Sequence, residues 1–150
     1  MEKRINLSEK GKNAITALLG ITGYVKKSGI EKQLLELIDF RVSQINGCAY
    51  CLDMHAKELR ALGETEQRIY GLSAWRESVY YSERERAALE WAEAVTHAHM
   101  TDEAYDIAKA QFSDEDLVDL TLGITTINAW NRMNLAFPKT AGTYKVGMFG

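Results

Sequence analysis

Apolar positions recur along this chain three and four residues apart, and alternating β-branched runs are nearly absent, the pattern of amphipathic helices rather than strands. Leu7 to Leu19 reads as a short amphipathic helix, with Ser8 as its cap and Gly20 as its stop. Ser28-Gly29 precedes a helix from about Ile30 to Asn46, ended by Gly47. A third runs from about Cys48 to Leu62 and ends at Gly63, and Thr65 caps a short one reaching about Trp75. Ser82-x-x-Glu85 is a capping-box pattern opening a helix through Ala94 or His97. Thr101-Asp102-Glu103 starts another, to about Phe112. Ser113-x-x-Asp116 starts the last, through Leu117, Leu120, Ile124 and Ile127 to about Phe137, where Pro138 stops it. The Gly-rich tail from Lys139 to Gly150 is expected to be extended or loosely ordered. No linker, repeat or low-complexity segment interrupts this series, so the expectation is one all-α domain of six to seven helices, with its core over about residues 30–138.

The helix before Gly47 is apolar on two sides. Leu34, Leu35, Ile38, Val42 and Ile45 form one stripe, Leu37 and Phe40 lie on another side, and Glu36 falls near them. Such a helix is buried on both sides, and a buried carboxylate without a partner is costly. Glu36 is therefore a candidate functional group, the plainer reading being a solvated or ion-paired glutamate.

Composition narrows the classes. With 46% hydrophobic and 26% charged residues in 150, the chain is not of the disordered type. A net charge of −3 gives no electrostatic footprint for nucleic acid. No apolar run approaches the ~20 residues of a membrane span, and Met1 to Lys10 has no apolar segment of the secretory kind, so a cytoplasmic location is expected. Both cysteines fall within Asn46-Gly47-Cys48-Ala49-Tyr50-Cys51-Leu52-Asp53-Met54-His55. A disulfide between residues three apart closes too small a loop to act mainly as a staple; in that compartment, paired cysteines point to catalysis or metal binding.

On a helix, positions 48, 51 and 55 share one face, which Leu52, Leu59 and Leu62 continue. A helix N-terminus favours the thiolate. A nearby imidazole can take the thiol proton, a second cysteine can trap an oxidised first one as a disulfide, and Gly47 lets the backbone turn sharply into the helix. The same spacing also suits zinc, with Cys48, Cys51 and His55 as three ligands and His97, His99 or Asp53 as a fourth. No strand–turn–helix pattern surrounds the motif, which argues against a thioredoxin fold. Trp75, Trp91 and Trp130 read as core or subunit-interface residues. Asn128, Asn131 and Arg132 put polar groups on a mostly apolar helix, where they support the site or an interface. His97 and His99 are expected to be exposed, and the runs Glu64 to Arg68 and Glu83 to Arg86 to be solvated, self-paired faces.

Glu36, eleven residues, then Cys48-x-x-Cys51-x-x-x-His55 resembles the signature of the AhpD-like alkylhydroperoxidases, within the carboxymuconolactone decarboxylase superfamily. Arg41 to Cys48, Glu64 to Arg68, Leu72 to Ser78, Glu83 to Leu89 and Asn128 to Arg132 resemble the same family, so the likeness covers roughly residues 30–138. The resemblance implies an all-helical fold assembled into trimers or hexamers. It also implies hydroperoxide reduction by the cysteine pair, with no cofactor beyond the redox-active disulfide and with electrons from a dithiol or a lipoyl group on a partner protein. Carried over, Cys51 is the peroxidatic cysteine, Cys48 the resolving one, and His55 and Glu36 form a proton relay. Tyr50 departs from members that carry histidine there; a phenol with pKa near ~10 is no base at neutral pH, though it can donate a hydrogen bond. A general disulfide oxidoreductase, a metal-stabilised structural module and decarboxylase chemistry are the other readings.

Overall fold

The structure is a computed structural model describing residues 4–150. Its elements are helices: α1 Leu7–Lys10, α2 Lys12–Lys26, α3 Lys32–Asn46, α4 Ala49–Ala61, α5 Glu66–Tyr70, a 3-10 helix Leu72–Glu77, α6 Glu83–Thr96, α7 Asp102–Lys109 and α8 Asp114–Ala136. No strand occurs among the described residues, and none of their helices is long and apolar enough to cross a membrane.

The central element is α3. Its two apolar sides are both covered, by α4 and α8 and by α6, and Leu37, Ile38 and Val42 are fully buried. The core continues through Leu59, Leu72, Leu89, Leu120 and Ile124. Trp75 and Trp91 belong to it and Trp130 packs against it. Each indole N–H reaches an acceptor: Glu93 from Trp75 at 2.9 Å, Thr121 from Trp91 at 2.8 Å and Thr22 from Trp130 at 2.9 Å. Gly123 lets α2 and α3 approach α8. A Cβ there would sit 3.2 Å from Val25 and 3.4 Å from Leu35.

The cap residues Thr65, Ser82, Thr101 and Ser113 each accept a backbone N–H as read, and Ser82–Glu85 forms the full capping box. The N-terminal segment differs. Asn6, not Ser8, caps α1, the chain breaks at Gly11, and α2 runs straight through Gly20 and Gly23 to Lys26. A glycine inside a helix costs only about 1 kcal/mol, which packing against α8 outweighs. The segment read as one helix from Thr65 to Trp75 is two, α5 and the 3-10 helix, with a kink at Ala74 (φ −117°, ψ 33°).

The tail is not loose. Gly142 N–H donates to Asp53 at 3.0 Å, the Lys57 ammonium donates to the Tyr144 carbonyl at 3.0 Å, and Tyr144 is buried. The run Glu64 to Arg68 is not simply a solvated face either. Gly63, at φ 89°, turns Glu64 inward, where only 2% of it is exposed. Arg84 and Arg86 likewise reach other elements, Arg84 to Glu31 at 2.8 Å and Arg86 to the carbonyls of Trp75, Arg76 and Ser78. His97 and His99 are exposed.

Candidate functional site

The site is built where α3 hands over to α4. Gly47 caps α3 in the left-handed region (φ 69°, ψ 35°), its N–H bonded to the Ser43 carbonyl. A side chain there would be strained. Cys48 follows in an extended conformation as the N-cap of α4, and its sulfur accepts the Cys51 N–H at 3.3 Å. Cys48 thus lies just outside the helix rather than within it, taking the position that serine or aspartate commonly fills. Cys48 and Cys51 are joined as a disulfide. Cys51 is wholly buried, and Cys48 is 2% exposed.

One turn on from Cys51 in α4 stands His55, buried against α3. Its Nδ1 lies 2.7 Å from Glu36 Oε2 and 3.9 Å from Asp39 Oδ2. A carboxylate can only accept, so Nδ1 donates, and in the neutral ring Nε2 is left as the acceptor. That Nε2 is buried and has no hydrogen-bond partner. A base nitrogen held in one tautomer and left unpartnered, one helical turn along α4 from Cys51, is free to take a proton.

Charges around the ring favour its protonated form. Burial works against the imidazolium. The hydrogen bond to Glu36 and the charges of Asp39, Glu36 and Glu58 outweigh it and hold His55 above its ordinary value of 6.5. Burial pushes the Asp39 carboxyl up to about 7, with Glu36 adding to the rise and His55 and Lys26 opposing it. Since 24% of the Asp39 side chain is open, solvent screens part of that effect. Tyr50, buried in the first turn of α4, has its phenol raised by burial and by Asp53, so it stays neutral. The Lys139 ammonium lies 5.3 Å from its ring centroid.

Polar groups of α8 pin this corner. Asn46 donates to Asn128 at 2.9 Å and to Asn131 at 3.0 Å, while Asn131 donates to Ser43 at 3.0 Å and Arg132 to Asn128 at 2.8 Å. Asn128, Asn131 and Arg132 therefore support the α3–α4 turn from within the chain. On the far side, Glu58 accepts from the Tyr144 hydroxyl and from Gly147 N–H at 2.9 Å, so the tail closes over the end of the same helix face.

Four neighbours of the site were not singled out in the sequence: Asp39, Glu58, Tyr144 and Asn134, whose amide donates to Cys51 Sγ at 3.5 Å. Three carried a signal. Asp39, Glu58 and Asn134 stand three residues beyond Glu36, His55 and Asn131 on the same helix faces. Tyr144 carried none.

The zinc set drawn from the sequence does not assemble. Both sulfurs are in the disulfide, Asp53 is paired with Lys57 at 2.8 Å, and His97 and His99 point to solvent. The donors that do converge among the described residues are Glu36, Asp39 and His55, and their closest contact is the Glu36–His55 hydrogen bond.

Fold and site together define an all-helical bundle with a buried cysteine pair at a helix N-terminus and a carboxylate–imidazole pair one turn behind it. Residues 11–94 match the model of the carboxymuconolactone decarboxylase family. The chain belongs to that family, and its likeness is to the AhpD-like members. The uncharacterized protein YdfG of Bacillus subtilis (strain 168) is 41% identical over 146 residues, covering 95% of this chain and 99% of that one. A solved protein of unknown function from Agrobacterium tumefaciens, provisionally ascribed to antioxidant defence as an AhpD, is 42% identical with a TM-score of 0.90, over 95% of this chain and 100% of the other. The alkyl hydroperoxide reductase AhpD of Mycobacteroides abscessus is 46% identical over 41 residues, which is 27% of this chain and 23% of that protein.

Proposed function

We propose that the chain is a thiol-dependent peroxidase of the alkylhydroperoxide reductase type, cycling Cys48 and Cys51 between dithiol and disulfide. The observation that carries this reading is the His55 ring, bonded to Glu36 at 2.7 Å through Nδ1 and unpartnered at Nε2, one turn from Cys51. In the reduced protein, Nε2 takes the Cys51 thiol proton. The thiolate attacks the terminal oxygen of ROOH, and the O–O bond breaks. Cys51 becomes the sulfenic acid, and the alkoxide leaves as ROH with the proton from His55. The Cys48 thiol then attacks the Cys51 sulfur; the S–O bond breaks, water leaves with the Cys48 proton, and the disulfide forms. The two electrons given to the peroxide come from the thiol pair.

A dithiol donor, such as a lipoyl group on a partner protein, restores the pair. Its thiolate attacks Cys48, which as a residue is 2% exposed where Cys51 is wholly buried. Cys51 leaves and is reprotonated by His55, which has taken up the proton lost by the donor's first thiol, and the donor's second thiol releases Cys48, passing it its proton, as the donor closes to its own disulfide. Assembly into trimers or hexamers belongs to the same proposal.

The test is peroxide turnover with a panel of reductants that includes dihydrolipoamide. Wild type turns over, Cys51→Ser falls to background, and Cys48→Ser accumulates a trappable sulfenic acid on Cys51. Absence of turnover with every dithiol, or full activity in Cys51→Ser, overturns the reading.

A further inference from the structure

Among the polar residues on the inward face of α8, Asn134 stands apart. Asn128 and Asn131 both accept from nitrogen and donate to oxygen partners. Asn131 receives Asn46 and donates to Ser43, and Asn128 receives Asn46 and Arg132 and donates to Thr96 and the Ile124 carbonyl. The Asn134 side chain, 9% exposed, makes one hydrogen bond among the described residues, to Cys51 Sγ at 3.5 Å. A disulfide sulfur carries no proton and can only accept, so the amide must present its N–H₂ to it. A neutral sulfur is a weak acceptor, and burying a primary amide for so weak a contact is unfavourable. The arrangement gains only when that sulfur carries charge, because hydrogen bonds to charged groups are about twice as strong as neutral ones.

The two sulfurs are also served differently. Cys48 Sγ receives a backbone N–H at the start of α4, where the helix dipole already favours a thiolate. Cys51 lies inside the first turn and does not occupy that N-cap. Its donor comes from α8, eighty-three residues away in sequence.

We propose that Asn134 is a catalytic residue, its side-chain amide holding the negative charge on Cys51 when the thiolate attacks peroxide and again when it leaves the disulfide. The assignment rests on the dithiol cycle proposed above and adds the group that stabilises its anionic sulfur. It also divides the labour: His55 moves the proton, and Asn134 holds the charge that remains.

The test uses the full chain and two readouts that need no peroxide. In the Cys48→Ser background Cys51 is the only thiol, and its thiolate absorbance is titrated with pH. In the two-cysteine chain, the disulfide is equilibrated against dithiothreitol. Asn134→Leu, close in volume but without a donor, should raise the Cys51 titration by about one pH unit or more, the tenfold loss expected for a hydrogen bond to a charged group. It should also reduce, by a similar factor, the fraction of disulfide opened at a given dithiothreitol ratio. Asn134→Asp keeps the shape and adds a negative charge, and should move both readouts further in the same direction.

If both variants titrate and equilibrate like wild type, Asn134 is a packing residue and the proposal is overturned, whatever the peroxide assay gives. If both readouts move while wild type reduces no peroxide, Asn134 keeps its role toward Cys51 and the peroxidase reading fails instead.

Discussion

Two buried glutamates show how this fold separates support from chemistry. Glu64 is 2% exposed and Glu36 8%. Around Glu64 the polar capacity is filled: Arg68 Nε donates at 2.7 Å, Gln33 at 3.0 Å and the Thr65 N–H at 3.0 Å, and Arg68 is itself held by Glu85 at 2.6 Å. Glu36 has one close partner, an imidazole at 2.7 Å whose other nitrogen is empty. A saturated buried ion locks α5 and α6 to the core and has nothing left to give. An unsaturated chain of carboxylate, imidazole and vacant nitrogen has one acceptor to spare, one turn of α4 from Cys51. Burial alone therefore does not mark a functional carboxylate; what distinguishes Glu36 is the open end of its network.

The comparison is sharpened most by removing each glutamate in turn. Glu64→Ala leaves Arg68 with Glu85 and the Tyr80 carbonyl and should cost about 3 kcal/mol of unfolding free energy in urea, with the rate of Cys51 oxidation unchanged. Net, its guanidinium and amide partners hold the Glu64 carboxyl below its ordinary 4.5 against the opposing effect of burial. The stabilisation is therefore present above that value and lost as pH falls through the lower, folded one; the gap between variant and wild type should close in acid.

Glu36→Gln should do the converse. Stability should change by less than about 1 kcal/mol, because an amide can still bond the ring. Cys51 oxidation should slow about 10- to 100-fold, as when a group orienting a reactive imidazole is lost. Equal losses of stability and rate in the two variants would erase the distinction.

Asp39→Asn should have a smaller effect of opposite sign. A carboxyl raised to about 7 in the fold stabilises fully only below its ordinary value, and that contribution is lost as pH rises toward 7. The variant should therefore gain about 1 kcal/mol over wild type near pH 8, after allowing for solvent screening, and the gain should vanish near pH 4, as thermal unfolding at the two pH values would read. Tyr144→Phe should have an effect of similar size, about 1 kcal/mol, by removing one donor from Glu58, with faster hydrogen exchange confined to the tail and the end of α4.

What could be read from the sequence is what is local. Gly47 and Gly63 end their helices in the left-handed region, and Thr65, Ser82, Thr101 and Ser113 cap theirs, because each device acts within four residues. Cys51 and His55 fall on one face for the same reason, whereas Cys48, read on that face as well, caps the helix from just outside it. The α3 helix announced burial on both sides through its two apolar stripes, which put Glu36 inside. Asp39 and Asn134 carried only their helical spacing from Glu36 and Asn131, and Tyr144 no signal, because their contacts depend on how α3, α8 and the tail pack against α4, from under twenty to more than eighty residues away along the chain. The boundary at Gly20 failed for an energetic reason: a glycine penalty of about 1 kcal/mol is smaller than what packing α2 on α8 returns. Glu64 was misread because a left-handed glycine one residue earlier reverses which way the chain faces.

The most direct test of the central claim, that Glu36 and His55 activate Cys51, is the pH dependence of Cys51 sulfenic acid formation in Cys48→Ser and in Cys48→Ser with Glu36→Gln. His55 must be neutral to accept the thiol proton, and Glu36 and its acidic neighbours hold the ring above 6.5. The account predicts a rate that rises with pH through a limb above that value, and a limb displaced to lower pH, with a lower plateau, once Glu36 is neutralised. Superimposable profiles in the two proteins would contradict it.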